Sequence, residues 1–84
     1  MTLDLEKIRN EFPALSRPVL FLDNPGGTQI TSRSLDRIQN YLIHTNANHN
    51  GSFETSRLSD QLVDEARTAA AEFLNASSDR EIVF

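Results

Sequence analysis

Few residues of this chain have chemistry beyond ordinary solvation. They are two histidines, one lysine, and asparagines clustered around glycine. His49 lies within Asn46-Ala47-Asn48-His49-Asn50-Gly51, where a neutral imidazole could stack on a planar ligand or relay a proton. The same residue reads equally as a loop histidine satisfied by neighbouring amides. His44, near the carboxyl end of a helix, complements the helix dipole. The two histidines lie five positions apart across that helix end, with no cysteine to assist, which is not the spacing of a metal pair. In Asn24-Pro25-Gly26-Gly27, Pro25 fixes φ for the second position of a turn, and Gly26 is expected to take the positive φ of a type II turn. Gly27 adds a second position without a Cβ, so a ligand or another stretch of chain can come close to the backbone. The plain alternative is a connecting turn. The chain has no cysteine, hence no disulfide, thiolate metal site or sulfur nucleophile. Lys7, the one lysine, sits between Glu6 and Arg9 on the side of the first helix expected to face water. No serine or threonine stands beside a base in the manner of a hydrolase.

The elements that would position these groups follow from periodicity. Leu5, Ile8 and Phe12 recur at intervals of three and four, predicting a helix over 3–11 with Thr2 as cap; Pro13 ends it. Val19-Leu20-Phe21-Leu22 reads as a short buried strand or extended segment feeding the turn. A second helix opens at Thr31 or Ser32, carries Leu35, Ile38, Tyr41 and Leu42 on one face, and fades near His44–Asn46. Thr45 to Ser52 reads as an ordered loop, because its residues hydrogen-bond their own backbone. The third and longest helix carries Leu58, Leu62, Val63, Ala66, Ala69, Ala70, Phe73 and Leu74 as its stripe, with Thr55 or Ser56 as cap. Tyr41 and the phenylalanines read as core. Asp60, Asp64, Glu65 and Arg67 read as a solvated face, with Asp64 in reach of Arg67. Helices two and three are expected to pack through Leu35, Ile38 and Leu42 against Leu62, Ala66 and Phe73. After Asn75 a polar loop, 76–79, leads to Glu81-Ile82-Val83-Phe84, an apolar run with the pattern of a strand.

Composition narrows the function. A chain of 84 residues is at most one small domain, burying only about 60% of its unfolded surface. Eight basic and twelve acidic residues give a net charge of −4 with neither sign gathered into a run. That argues against a nucleic-acid footprint or a membrane-surface patch. The acidic start lacks the pattern of a secretion signal, and Val19 to Leu22 is the longest apolar run, so a cytoplasmic protein is expected. The fold class is mostly α: three helices, a short extended segment near 19–22 and a terminal strand at 81–84. A lone strand needs others to pair with. Helix, short loop, apolar strand is the ordinary lead-in to a parallel sheet covered by helices. Residues 1–84 are therefore expected to be the front of a longer α/β protein, in which part of the helical surface, apolar here, is covered.

Four segments in order carry a resemblance over essentially the whole chain. They are Glu11-Phe12-Pro13-Ala14-Leu15, then Phe21-Leu22-Asp23-Asn24-Pro25-Gly26-Gly27-Thr28-Gln29. Asn46 to Gly51 with Thr55-Ser56 follows, and then Glu81-Ile82-Val83-Phe84. Together they resemble the amino terminus of the cysteine desulfurase-like proteins among the class V aminotransferases, pyridoxal phosphate enzymes of fold type I. The resemblance implies a homodimeric enzyme acting on a small amino acid, by carbon–sulfur cleavage or amino-group transfer. In such an enzyme Asn24, Pro25, Gly26, Gly27, Asn48 and His49 would line the substrate side of the active site. It also implies that the segment stops before the loop that cradles the cofactor phosphate. Such chemistry needs a lysine to bond the cofactor aldehyde and an acid at its ring nitrogen. Neither is expected here, so the segment alone is expected to be inactive. The better-known desulfurases have alanines where Pro25 and Gly26 stand, and Pro25 offers no amide donor. The Pro-Gly-Gly form is similar to a branch whose members need not be desulfurases. A non-catalytic helical interaction module remains the alternative.

Overall fold

A computed structural model describes residues 2–84. They form α1 (Leu5–Asn10), α2 (Ser32–His44) and α3 (Glu54–Leu74), with 3-10 turns at Pro13–Ser16, Asn24–Gly26 and Asp79–Glu81. No β-strand occurs among the described residues. The chain divides into two units, Met1–Asn40 and Tyr41–Phe84.

In the first unit the cap of α1 is Asp4, not Thr2. Its carboxylate accepts the Lys7 amide at 3.0 Å, satisfying one of the donors a helix start leaves free. The helix is shorter than its periodicity suggests. Glu11 closes it and Pro13 opens a 3-10 turn, as the restriction on residues before proline requires. The Glu11 carbonyl then accepts the Ser32 amide at 2.8 Å, and its carboxylate lies 3.7 Å from the Arg33 Nε, so the end of α1 holds the start of α2. Thr31 caps α2 as expected, its hydroxyl accepting the Ser34 amide at 3.3 Å. Val19 to Leu22 forms no ladder and is not buried. Phe21 is half-buried, whereas Leu20 and Leu22 stand open to solvent. A sheet strand needs a neighbour for its amides and carbonyls.

In the second unit α3 covers the predicted region, but Leu58, Ala66, Ala69, Phe73 and Leu74 of the predicted stripe are exposed, and Thr55 and Ser56 do not cap the helix. The helix starts at Glu54, two residues before a Thr55 cap would place it, behind Phe53, which makes no side-chain cap bond. That difference places Ser56 inside the helix, where it is fully buried. At the other end Asn75 takes the left-handed conformation at φ 54°, and the Ala76 amide reaches back to the Ala71 carbonyl at 2.9 Å. This is the Schellman manner of closing a helix, with asparagine in the usual glycine place.

The terminal run differs from expectation in kind. Glu81 closes a 3-10 turn, and from Ile82 the backbone is extended but unpaired. Arg67 holds it: its Nε donates to the Ile82 carbonyl at 3.3 Å, and its guanidinium lies 5.4 Å from the Phe84 ring centroid, within cation–π range. Arg67 also meets Asp64 at 3.4 Å, the pair foreseen from their spacing. It is therefore not a purely solvated residue.

Among the described residues neither unit builds an apolar core, and those buried are Ser56, Ser59 and Ala71, all on α3. Leu35, Ile38, Leu42 and Phe73, expected to pack helix against helix, are exposed, Phe73 at 89%. The buried residues of α3 lie outside its predicted stripe, and α2 buries none of its own.

Candidate functional site

The two expected halves of a site fall in different units. In the first, Asn24, Pro25, Gly26 and Gly27 are all exposed. The turn is not type II. Gly26 belongs to a 3-10 turn and the positive φ, 147°, falls on Gly27. The Gly26 amide donates to the Asp23 carbonyl at 3.1 Å and the Gly27 amide to the Asn24 carbonyl at 3.0 Å. Successive bonds of this kind carry the chain on in a 3-10 sense, and only the residue that ends the turn must leave the right-handed region. Both glycine amides are thus spent within the turn, and Pro25 has none to give. What the segment offers a ligand is the Asn24 carboxamide and a low α-carbon surface. A Cβ on Gly27 would meet nothing within 4 Å, so the glycine is needed there for its conformation rather than for space.

The second half is built more tightly. Three side chains of α3 hold the loop that carries Asn48 and His49. Ser56 accepts the Gly51 amide at 2.7 Å and donates its hydroxyl proton to the Asn48 carbonyl. Ser59 donates to the Ala47 carbonyl at 3.5 Å and stands 3.2 Å from the Tyr41 hydroxyl. Asp60, one turn on from Ser56, meets His49 Nδ1 at 2.5 Å with one oxygen and accepts the Asn50 amide at 3.0 Å with the other. Positions four apart share a helix face, so Ser56 and Asp60 present hydroxyl and carboxylate along one edge of the loop. Asn50 takes the left-handed conformation at φ 61°, which turns its amide toward that carboxylate.

Gly51 is the position where space decides. A Cβ there would lie 2.5 Å from Phe53 Cε1 and 2.8 Å from Ser56 Oγ. Both amide and α-carbon of Gly51 are therefore pressed against the helix start.

His49 is thus satisfied by a carboxylate rather than by amides. Its side chain remains 72% exposed, so the ring is held but open. The hydrogen bond from His49 keeps Asp60 below the usual carboxylate range, partial desolvation opposes this, and the Asn50 amide reinforces it. A depressed folded-state pKa means that the stabilisation is fully present above the unfolded value of 3.8 and is lost as pH falls through the lower, folded value. The Asp60 carboxyl carbon chemical shift should therefore titrate with its midpoint below 3.8. A midpoint above the unfolded value would contradict the pairing.

Asp60 and Ser56 are the residues that sequence reasoning missed. Asp60 was assigned to a solvated face and Ser56 to a cap. The available signal was their i, i+4 spacing directly after a loop rich in left-handed formers. His44 and Lys7 stay on the surface of their helices. Among the described residues there is no group of three or more His, Cys, Asp or Glu able to hold a metal, and no helix long and apolar enough to cross a membrane.

Comparison with known proteins adds a family signal. The model of the family described as aminotransferase class-V matches residues 20–84. An aminotransferase-like protein, FGM3, of Gibberella zeae is 37% identical over 98% of this chain and 21% of its own length. A probable cysteine desulfurase of Streptomyces coelicolor is 37% identical over the same shares. A cysteine desulfurase of an Enterobacter species is 33% identical over 100% of this chain and 22% of its own. The chain spans about a fifth of the length of these relatives.

Proposed function

The chain belongs to the class V aminotransferase family, and from that membership we propose that it is the amino-terminal part of a pyridoxal phosphate-dependent, cytoplasmic, homodimeric enzyme acting on a small amino acid. The reaction is carbon–sulfur cleavage or amino-group transfer, and this segment supplies substrate-side wall rather than catalytic floor. Asn24 to Gly27 contribute a surface low enough to admit a substrate carboxylate. Asn48 and His49 contribute a polar edge. The observation that carries this reading is the anchored loop. Three α3 side chains fix a segment whose imidazole is left open, an arrangement that orders a group for contact rather than for packing.

The cofactor itself does not fit the residues present. Lys7, the one lysine, lies exposed in a shallow depression lined by Asp4, Glu6, Asn10 and Glu11. Three carboxylates around that amine repel a phosphate group. The lysine, the acid for the ring nitrogen and the phosphate cradle must lie in other parts of the enzyme.

The test is direct. Protein expressed from the whole natural reading frame should be yellow and retain stoichiometric pyridoxal phosphate, whereas the 84-residue chain given the cofactor should stay colourless. Colourless full-length protein, unchanged on addition of the cofactor, would refute the enzyme assignment. One observation favours a second reading, a non-catalytic helical module: the many large apolar side chains left exposed on every helix. A stop codon directly after Phe84 in the natural gene would support that reading.

A further inference from the structure

We propose that Asp60 is the positioning residue of the candidate site, holding His49 as the Nδ1-protonated tautomer so that Nε2 is a hydrogen-bond acceptor toward the substrate. The inference deepens the proposed function and rests on it for the identity of the ligand, a proton-bearing group of an amino acid.

The argument starts from what each atom can do. An ionised carboxylate only accepts hydrogen bonds, so the contact between His49 Nδ1 and the Asp60 oxygen requires a proton on Nδ1. In a neutral imidazole the other nitrogen then carries a lone pair. Among the described residues Nε2 makes no hydrogen bond, and the ring is largely solvent-facing. Asp60 itself has little freedom, because its second oxygen is committed to the Asn50 amide. The loop is further pinned on either side of the ring through the Asn48 carbonyl and the Gly51 amide, both on Ser56. An imidazole on a loop fixed at three neighbouring residues, with one nitrogen committed, presents its other nitrogen in a defined direction.

The consequence is a choice of ligand group. A neutral Nε2 with no proton cannot donate to a carboxylate. It can accept from an ammonium or a thiol, or take a proton from one. His49 is therefore suited to the amino or sulfur end of an amino acid and not to its carboxylate.

The experiment reads the tautomer and not the activity. In full-length protein with ¹⁵N-labelled histidine, the His49 signal is identified by its loss in His49→Gln, and long-range ¹H–¹⁵N correlations at mildly alkaline pH report which nitrogen bears the proton. The expected pattern is pyrrole-type Nδ1 and pyridine-type Nε2, with a shift toward the opposite tautomer in Asp60→Ala. A merely structural Asp60 would leave the tautomer of His49 unmoved. An Nε2-protonated ring in the unaltered protein overturns the proposal without any variant being needed, and so does an Asp60→Ala protein whose tautomer is unchanged. Because the measurement needs no bound cofactor, its failure is distinct from failure of the enzyme assignment, which is read from colour.

Discussion

In a Ser56→Ala protein the loop at residues 47–51 is expected to come away from α3, with a local stability loss of about 2–4 kcal/mol, since a buried group left unpaired costs about 1–3 kcal/mol. The substitution removes one hydroxyl but strands two partners, the Gly51 amide and the Asn48 carbonyl. Ser56 is fully buried, so water cannot readily take its place. Helix propensity acts the other way, because alanine is the better helix former, but by only a few tenths of a kcal/mol. The unsatisfied backbone wins. Hydrogen exchange at the Gly51 amide is the measurement: its protection should collapse while amides in the middle of α3 change little. Retained protection would mean that the loop is held by its own conformation and not by the helix.

Gly51→Ala is expected to produce a loss of similar size by the opposite route. The new methyl would sit 2.5 Å from the Phe53 ring and 2.8 Å from Ser56 Oγ, closer than non-bonded atoms allow. Phe53 is about half exposed and its ring can swing aside, but Ser56 is a short side chain fixed to the helix and cannot. The backbone of the loop must therefore move, at an overpacking cost of about 1–3 kcal/mol, and the Gly51–Ser56 bond is lost with it. The two substitutions break the same contact, so together they should cost clearly less than the sum of their separate effects. Thermal unfolding and amide exchange of the two single variants and the double variant test this. Strict additivity would show that Gly51 and Ser56 act independently.

Both expectations centre on contacts that local sequence does not display. Ser56 was legible as a polar residue near a helix start, and a cap is the usual job of such a residue. The helix begins sooner, behind Phe53, and the side chain turns from capping its own helix to bridging a loop. Asp60 was legible as part of a charged face, which is what most helical carboxylates are. That it meets His49 eleven positions earlier depends on how the intervening chain doubles back. The glycine pair was read as a turn correctly and in detail wrongly, because continuing the 3-10 turn through Gly26 moves the positive φ to Gly27.

Sequence alone determined that three helices occur, their order and the residues that stop them. Those features rest on contacts between residues three or four apart, on proline's missing amide and on asparagine's tolerance of the left-handed region. It also determined the family, through four short segments in a fixed order. Tertiary structure alone decided which polar side chains serve the candidate site, and that the apolar stripes of α2 and α3 are left largely exposed by these residues. Loop anchoring joins residues whose separation is set by chain reversal, and no period in the sequence records it.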